Sequence, residues 1–279
     1  MDVQVALAVA RELAVEGGAI AGEHYRRDSP ARRKQDGTWV TDADVAVETA
    51  LRSRVAERFP EHNVLGEEGG LRRADGAPAS WDAPTWVIDP IDATSNFMAG
   101  IPIWATLVAL RIQGRNVVGI VNAPALGELY EAAEGHGARL NGDPIHVDAV
   151  PRLADAMVLY GSVHAMSQSG LGPFFRTLVS RTRRDRGLGP FWGHMLVARG
   201  AAHIMIEPTP YRTLAVWDVA PLEVIVTEAG GRLSRLDGQP WTPGHACLTT
   251  CGSIHDDVVA LHAGTVRAAP TVRTAEPFV

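Results

Sequence analysis

The amino-acid sequence predicts an α+β protein in which helices are layered against two sheets. Three observations carry that expectation: two helical periodicities open the chain, glycine-punctuated β texture fills its middle, and strands alternate with helices after Pro151.

Val5, Val9 and Leu13 recur at helical spacing, so residues 2–26 read as an amphipathic helix. The polar, basic stretch Arg26 to Gly37 reads as a loop. Thr41 or Asp42 can cap a second helix, with Val45, Val47, Leu51 and Val55 as its apolar face until Pro60 ends it. A short strand, Asn63 to Leu65, runs into Gly66-Glu67-Glu68-Gly69-Gly70. The Ala-, Asp-, Gly- and Pro-rich segment Leu71 to Pro84 reads as a surface loop. Trp86-Val87-Ile88 is a compact strand stopping at Asp89-Pro90. Ile103–Arg111, Val117–Asn122 and Leu129–Ala133 then form an antiparallel sheet. Further strands are expected at Ala156–Tyr160, His203–Ile206 and Cys247–Thr250. Helices fit Gly172–Ser180, Phe191–Arg199, Asp218–Ala229 and His255–Ala263.

A chain of 279 residues allows one large domain or two moderate ones, and the change of texture divides it into an α+β part, 1–150, and an α/β part, 151–266. Residues 267–279 read as a frayed tail. Hydrophobic residues make up 46% and charged residues 21%, enough for a real core, which excludes a disordered or disulfide-stapled chain. Two cysteines are too few for a structural zinc site and read as reduced thiols. The N-terminus lacks a signal peptide's basic and apolar regions, and the longest apolar run, Ile101 to Leu110, is far short of the roughly 20 residues that span a bilayer. A cytoplasmic protein with no membrane contact is expected. A net charge of −6 argues against a nucleic-acid partner, the basic cluster from Arg26 to Lys34 notwithstanding.

Four carboxylate-bearing spots stand at strand ends or helix starts: Asp44, the pair Glu67-Glu68, Asp89 with Asp92, and Asp218. A buried-looking strand delivers Asp89, and Asp92 follows three residues later, near a helix start. Carboxylates so close repel unless protonated or neutralised by a cation. Oxygen ligands without a convergent His or Cys favour a hard metal such as magnesium. The N–H groups of Ala93 and Thr94 at the same helix start could cradle a phosphate. Each spot alone also has a structural reading: Asp92 and Asp218 as helix caps, Asp89 as a turn residue, Glu67 and Glu68 as solvated charges. A G-x-x-x-x-G-K-[ST] loop is absent, which argues against a P-loop enzyme.

Taken in order, Val40-Thr41-Asp42-Ala43-Asp44, Gly66-Glu67-Glu68, Asp89-Pro90-Ile91-Asp92-Ala93-Thr94-Ser95-Asn96-Phe97 and Trp217-Asp218-Val219-Ala220 resemble the inositol monophosphatase-like superfamily of magnesium-dependent, lithium-sensitive phosphatases. The resemblance implies a layered αβαβα sandwich of the inositol monophosphatase and fructose-1,6-bisphosphatase type, a homodimer, and most metal ligands in the N-terminal part. It implies that Glu67, Asp89 and the Ile91 carbonyl hold one Mg²⁺, that Asp89, Asp92 and Asp218 hold a second, and that a third lies near Glu67, with Mn²⁺ as a substitute. Thr94, polarised by Asp44, would orient the attacking water, and Ala93 and Thr94 would bind phosphate. Lys34, Pro190, Trp192, Glu207 and Arg212 fall to the substrate side.

Gly187-Leu188-Gly189-Pro190-Phe191-Trp192 and Trp104–Leu110 look most like the bacterial histidinol-phosphate phosphatase branch. The departures lie near the substrate. Pro190 stands where that branch has an aspartate, and nine residues separate Glu207 from Trp217, about four more than in the family. Ala93 replaces the glycine of the usual Asp-Gly-Thr turn, which costs about 1 kcal/mol if the turn needs φ > 0. Pro221 stands in for a small residue, tolerable in a first helical turn. The expected function is hydrolysis of a small phosphorylated metabolite, histidinol phosphate first. A sugar, inositol or nucleoside monophosphate of a specialised biosynthetic pathway is the alternative, and a metal-binding relative acting as a protein partner is the non-enzymatic one.

Overall fold

The structure, a computed structural model, describes residues 2–27, 30–34, 37–80, 82–209 and 214–268. Asp2 caps α1 (Val3–His24), accepting from the Gln4 N–H. The buried stripe of α1 runs through Val9, Leu13 and small residues such as Ala10, Ala14 and Gly17, while Val5 faces out. The expected loop holds a short antiparallel ribbon, β1 (Ala31–Arg33) and β2 (Trp39–Thr41). Thr41, rather than Asp42, caps α2 (Asp42–Arg58). Val47, Leu51 and Val55 of α2 are buried, but Val45 is exposed. Helical spacing thus located both buried faces but overcounted by one valine in each.

An eight-stranded sheet follows. In chain order its strands are β3 (Asn63–Gly66), β4 (Gly70–Arg73), β5 (Thr85–Asp92), β6 (Ala105–Ile112), β7 (Arg115–Ala123), β8 (Glu128–Ala133), β9 (Ala138–Leu140) and β10 (Asp143–Ile145). Their spatial order is β10-β9-β8-β7-β6-β5-β3-β4, with β3 and β5 parallel and the rest antiparallel. β4 occupies the start of the segment expected to be a surface loop; as a half-exposed edge strand rich in Gly and Arg it carries no apolar pattern. The short helix α3 (Thr94–Met98) leaves β5. From Ala105 to Leu110 every residue of β6 is buried, because helices cover both faces and erase the usual alternation.

The second sheet has the order β12-β11-β13-β15-β14. It is built with its helices in the chain order β11 (Met157–Tyr160), α4 (Val163–Gln168), α5 (Gly172–Ser180), β12 (Arg184–Gly187), α6 (Phe191–Ala198), β13 (Ile204–Glu207), α7 (Val216–Glu228), β14 (Arg232–Ser234), β15 (Cys247–Thr250) and α8 (His255–Ala268). α8 runs past the expected boundary at 266, and the rest of the expected tail lies outside the described residues. Cys247 and Cys251 are buried free thiols. Among the described residues no helix is long and apolar enough to cross a membrane.

Five layers result. Val9, Leu13, Val47 and Leu51 of α1 and α2 pack on Trp86, Ile88, Val108 and Ile120 of the large sheet. On its other face Leu107, Val121 and Tyr130 meet Phe191 and Met195 of α6 and Leu222 and Val226 of α7. Leu196 and Val197 of α6 also meet Leu159 and Met205 of the small sheet. Beyond that sheet, Val158, Ile204 and Leu248 pack on Phe174, Leu178 and Val258 of α5 and α8. This is the expected αβαβα sandwich, with α6 and α7 as the shared central layer.

The central layer is tight. Pro221 lies past the first turn of α7, where it removes the N–H that would bond the Trp217 carbonyl. Its own carbonyl lies against Gly119 of β7, where an added Cβ would stand 2.3 Å from the oxygen. Backbone cannot step aside as a flexible side chain can. Gly119→Ala is therefore expected to cost about 2–3 kcal/mol of stability, read as a lowered urea midpoint at unchanged slope.

Candidate active site

β5 does not stop at Asp89 but runs on to Asp92 through an irregularity. Asp89 pairs with Leu107 and Asp92 with Ala105, so between these pairs two residues of β5, Pro90 and Ile91, oppose Thr106 alone on β6. Proline, with no N–H to give the ladder, suits a bulge, and the Pro90 carbonyl accepts from Thr106 Oγ1 at 2.8 Å. The extra residue resets the pleat. In a regular strand residues three apart face opposite sides. Here Ile88 and Ile91 share the core beneath α1 and α2, and Asp89 and Asp92 turn together to the other side.

Asp218 meets them from α7. Ligand oxygens of Asp89, Asp92 and Asp218 lie within 4.8 Å of one another, the one such trio among the described residues, and the three side chains are 0%, 4% and 6% exposed. At an effective dielectric of about 20, two unit charges that far apart repel by about 3 kcal/mol. A hard divalent cation relieves this and matches an all-oxygen donor set without His or Cys. Asp218 is not the N-cap of α7 but its third residue, reaching back so that Oδ2 accepts from the Ala215 N–H at 2.6 Å. Asp92 Oδ2 accepts from the Phe191 N–H at the start of α6 at 3.3 Å.

Asp44 repeats the pattern at the third position of α2, where its Oδ2 accepts from Thr41 N at 2.7 Å and from Thr41 Oγ1 at 2.6 Å. Its buried Oδ1 has no hydrogen-bond partner among the described residues. Thr94 Oγ1 donates to the Ile91 carbonyl at 3.1 Å rather than to Asp44. Burial pushes Asp44 up to about 6, against the opposing pull of the Thr41 hydrogen bonds. Lys34 bridges two acids, its Nζ 2.9 Å from Glu67 Oε1 and 2.5 Å from Glu68 Oε1. Burial works against the Lys34 charge, but Glu67 and Glu68 outweigh it and raise its pKa. Glu68 is itself lifted to about 7 by burial.

A cleft of about 340 Å³ is lined among others by Trp39, Glu67, Ala93, Thr94, Pro190 and Glu207, and so reaches the residues that follow Asp92 in the chain. Ala93 has φ 66°, the left-handed region, so the alanine does carry the strain expected of a glycine position. Trp192 is not among the residues that line this cleft, and its indole N–H donates to Glu128 Oε2 at 2.8 Å. Arg212 lies outside the described residues. Trp39, His194 and Glu48 were missed. Trp39 forms part of the cleft wall, and fully buried His194 lies with Nε2 3.1 Å from Glu207 Oε2 and Nδ1 2.8 Å from Thr249 Oγ1. A lone histidine carries no motif. Glu48 had a signal in its spacing, four residues after Asp44 on the same helical face.

Carboxylate oxygens able to hold a hard cation, set beside the opening N–H groups of a helix, suit phosphate oxygens, and within this sandwich they point to the class of metal-dependent phosphatases. Comparison with known proteins narrows the class. The chain belongs to the inositol monophosphatase family, whose pattern matches residues 2–270. The histidinol-phosphatase of Mycobacterium tuberculosis is 39% identical over 237 residues, 83% of this chain and 87% of that protein. That of Streptomyces coelicolor is 35% identical over 263 residues, 91% of this chain and 95% of that protein. Among solved structures, the IMPase of Thermotoga maritima superposes with a TM-score of 0.81 at 28% identity, covering 96% of this chain and 99% of that one. The protein is thus a phosphoric monoester hydrolase.

Asp44 supplies a pH test on the cation-free protein. Its folded pKa is raised above the ordinary 3.8, so its contribution to stability is full below about pH 4 and is lost as pH rises through about 6. The loss is on the order of 3 kcal/mol. Asp44→Asn carries no charge and removes it. In chelator, thermal unfolding should show the variant gaining on the wild type between about pH 4 and pH 7.

Proposed function

We propose that the chain hydrolyses a small phosphomonoester in this cleft with Mg²⁺ as its cation, and that histidinol phosphate is the first substrate to try. The observation that carries the reading is the buried Asp89–Asp92–Asp218 trio beside Thr94. Glu67, at the cleft wall, and the Ile91 carbonyl complete the ligand set in this reading. Cations bound there would offset charge on the phosphate and activate water at neutral pH. The chain's own groups do the rest. The N–H groups of Ala93 and Thr94 hold phosphate oxygens, and the Thr94 hydroxyl orients the incoming water. Asp44, near 6, is suited to take up a proton near neutral pH. The water oxygen bonds to phosphorus as the bond to the alcohol oxygen breaks, giving the alcohol and inorganic phosphate. On the family resemblance, the same reading makes the enzyme a cytoplasmic homodimer.

Support for histidinol phosphate comes from the relatives that bear that name and from Glu207, an acid at the cleft wall able to face a cationic leaving group. Pro190 points the other way. It lines the same cleft and offers no charge, which favours a less cationic alcohol, such as a sugar, inositol or nucleoside monophosphate.

Phosphate release with Mg²⁺ over these monoesters decides between them. Asp89→Asn and Asp218→Asn keep side-chain size and remove ligand charge, so each is expected to lower kcat at least 100-fold in a folded protein. Wild-type turnover in either would remove the cation assignment. Trp39 supplies an exposed indole to the wall. Trp39→Ala is expected to raise KM about tenfold for a ring-bearing ester, with little change for glycerol phosphate.

A further inference from the structure

The turn between β3 and β4 brings Glu67 to the cleft, and its main chain rests on α2. Glu48, 3% exposed, lies one turn beyond Asp44. Its carboxylate accepts from the Glu68 N–H at 2.7 Å, from the Gly69 N–H at 2.7 Å and from Arg52 Nε at 2.7 Å. Arg52 in turn donates to the Gly70 carbonyl at 2.6 Å and to the Val64 carbonyl at 3.3 Å. One anion therefore collects the N–H groups of the turn, and one cation collects the carbonyls on either side.

The contact is close enough to exclude side chains. A Cβ on Gly66 would stand 2.4 Å from the Glu48 carboxylate, and one on Gly69 would stand 2.7 Å from it. An exposed i,i+4 ion pair contributes little on its own. This pair is buried on the acid side and spends its hydrogen bonds on a loop rather than on α2 itself. Because Asp44 and Glu48 share a face of one helix, α2 ties the position of Asp44 to that of Glu67.

We propose that Glu48 and Arg52 are positioning residues for Glu67: they lock the main chain of its turn so that the Glu67 carboxylate stays at the cleft as a cation ligand. The inference rests on the reading of Glu67 given above. A purely structural pair would lower the unfolding temperature and leave the cation affinity of the folded protein alone. A positioning pair sets that affinity.

The test is Mn²⁺ binding to the full chain by calorimetry, without substrate. Glu48→Gln replaces one of the two acceptor oxygens by an amide NH₂, so one N–H of the turn loses its acceptor. It is expected to weaken the Glu67-dependent Mn²⁺ site at least tenfold, and to raise the Mg²⁺ concentration for half-maximal hydrolysis by a similar factor, with kcat restored at saturating Mg²⁺. Arg52→Lys keeps the charge, loses the fork, and should give a smaller weakening; it decides the matter if Glu48→Gln does not fold. Glu67→Gln should weaken the same site, and adding Glu48→Gln to it should cost nothing more. Wild-type Mn²⁺ affinity in a folded Glu48→Gln or Arg52→Lys protein, or additive losses in the double variant, would overturn the proposal. Weakened Mn²⁺ binding in a chain that hydrolyses no ester would uphold the positioning role and count against the phosphatase substrate reading alone.

Discussion

The constraint on which this molecule depends is the burial of several carboxylates within a few ångströms of one another. Buried carboxylates need hydrogen-bond donors, and for three of these acids the fold supplies one from the start of a helix: Thr41 N for Asp44, Phe191 N for Asp92 and Ala215 N for Asp218. A helix N-terminus favours negative charge and has N–H groups with no partner in the helix. In Asp44 and Asp218 the device is the same capping arrangement, the third residue reaching back with one oxygen. The five-layer architecture follows from that need, since α6 and α7 must lie against the large sheet for their first turns to meet the end of β5.

The same electrostatics governs the Glu67 side. Lys34 is the sole lysine of the chain, and it is placed where two acids meet. An ammonium on a flexible stem can neutralise Glu67 and Glu68 and still yield an oxygen to a divalent ion, which a guanidinium fork grips less readily. Arg52 shows the contrast. Its fork is used on main-chain carbonyls, where fixed geometry is the requirement. The two basic groups thus do different work a few residues apart in space, one compensating charge and one holding shape.

Much of this was legible in the sequence because the buried acids sit where local grammar marks a boundary. Asp89 ends an apolar run, and Asp44 and Asp218 precede helical periodicities, so charge type and place could be read together. Pro90 was harder: a proline after a strand suggests a turn, and only pairing with β6 makes it a bulge. Glu48 and Arg52 belong to no motif, and the loop that covers them comes later in the chain. β4, β12 and β14 are edge strands with few apolar residues, so nothing in their composition announced them. Trp192 belongs to a motif by likeness, and the sequence alone does not show that its indole N–H finds a partner in Glu128.

The two halves of the cleft answer to different demands. Around the buried acids a change of residue is costly, because buried charges left without partners are expensive and Asp44, Asp92 and Asp218 are each tied to a helix start. On the leaving-group side, Trp39 and Pro190 come from a two-stranded ribbon and a helix entry, and neither carries a hydrogen bond that the trio needs. Exchanging them would alter the shape and polarity of the cleft wall. Glu207 stands between these cases. It faces the cleft, but buried His194, itself held by Thr249, restricts its carboxylate, so this acid offers a fixed contact rather than an adaptable one. A fold built in this way can keep one hydrolytic chemistry and take different phosphate esters through substitutions at the ribbon and the helix entry.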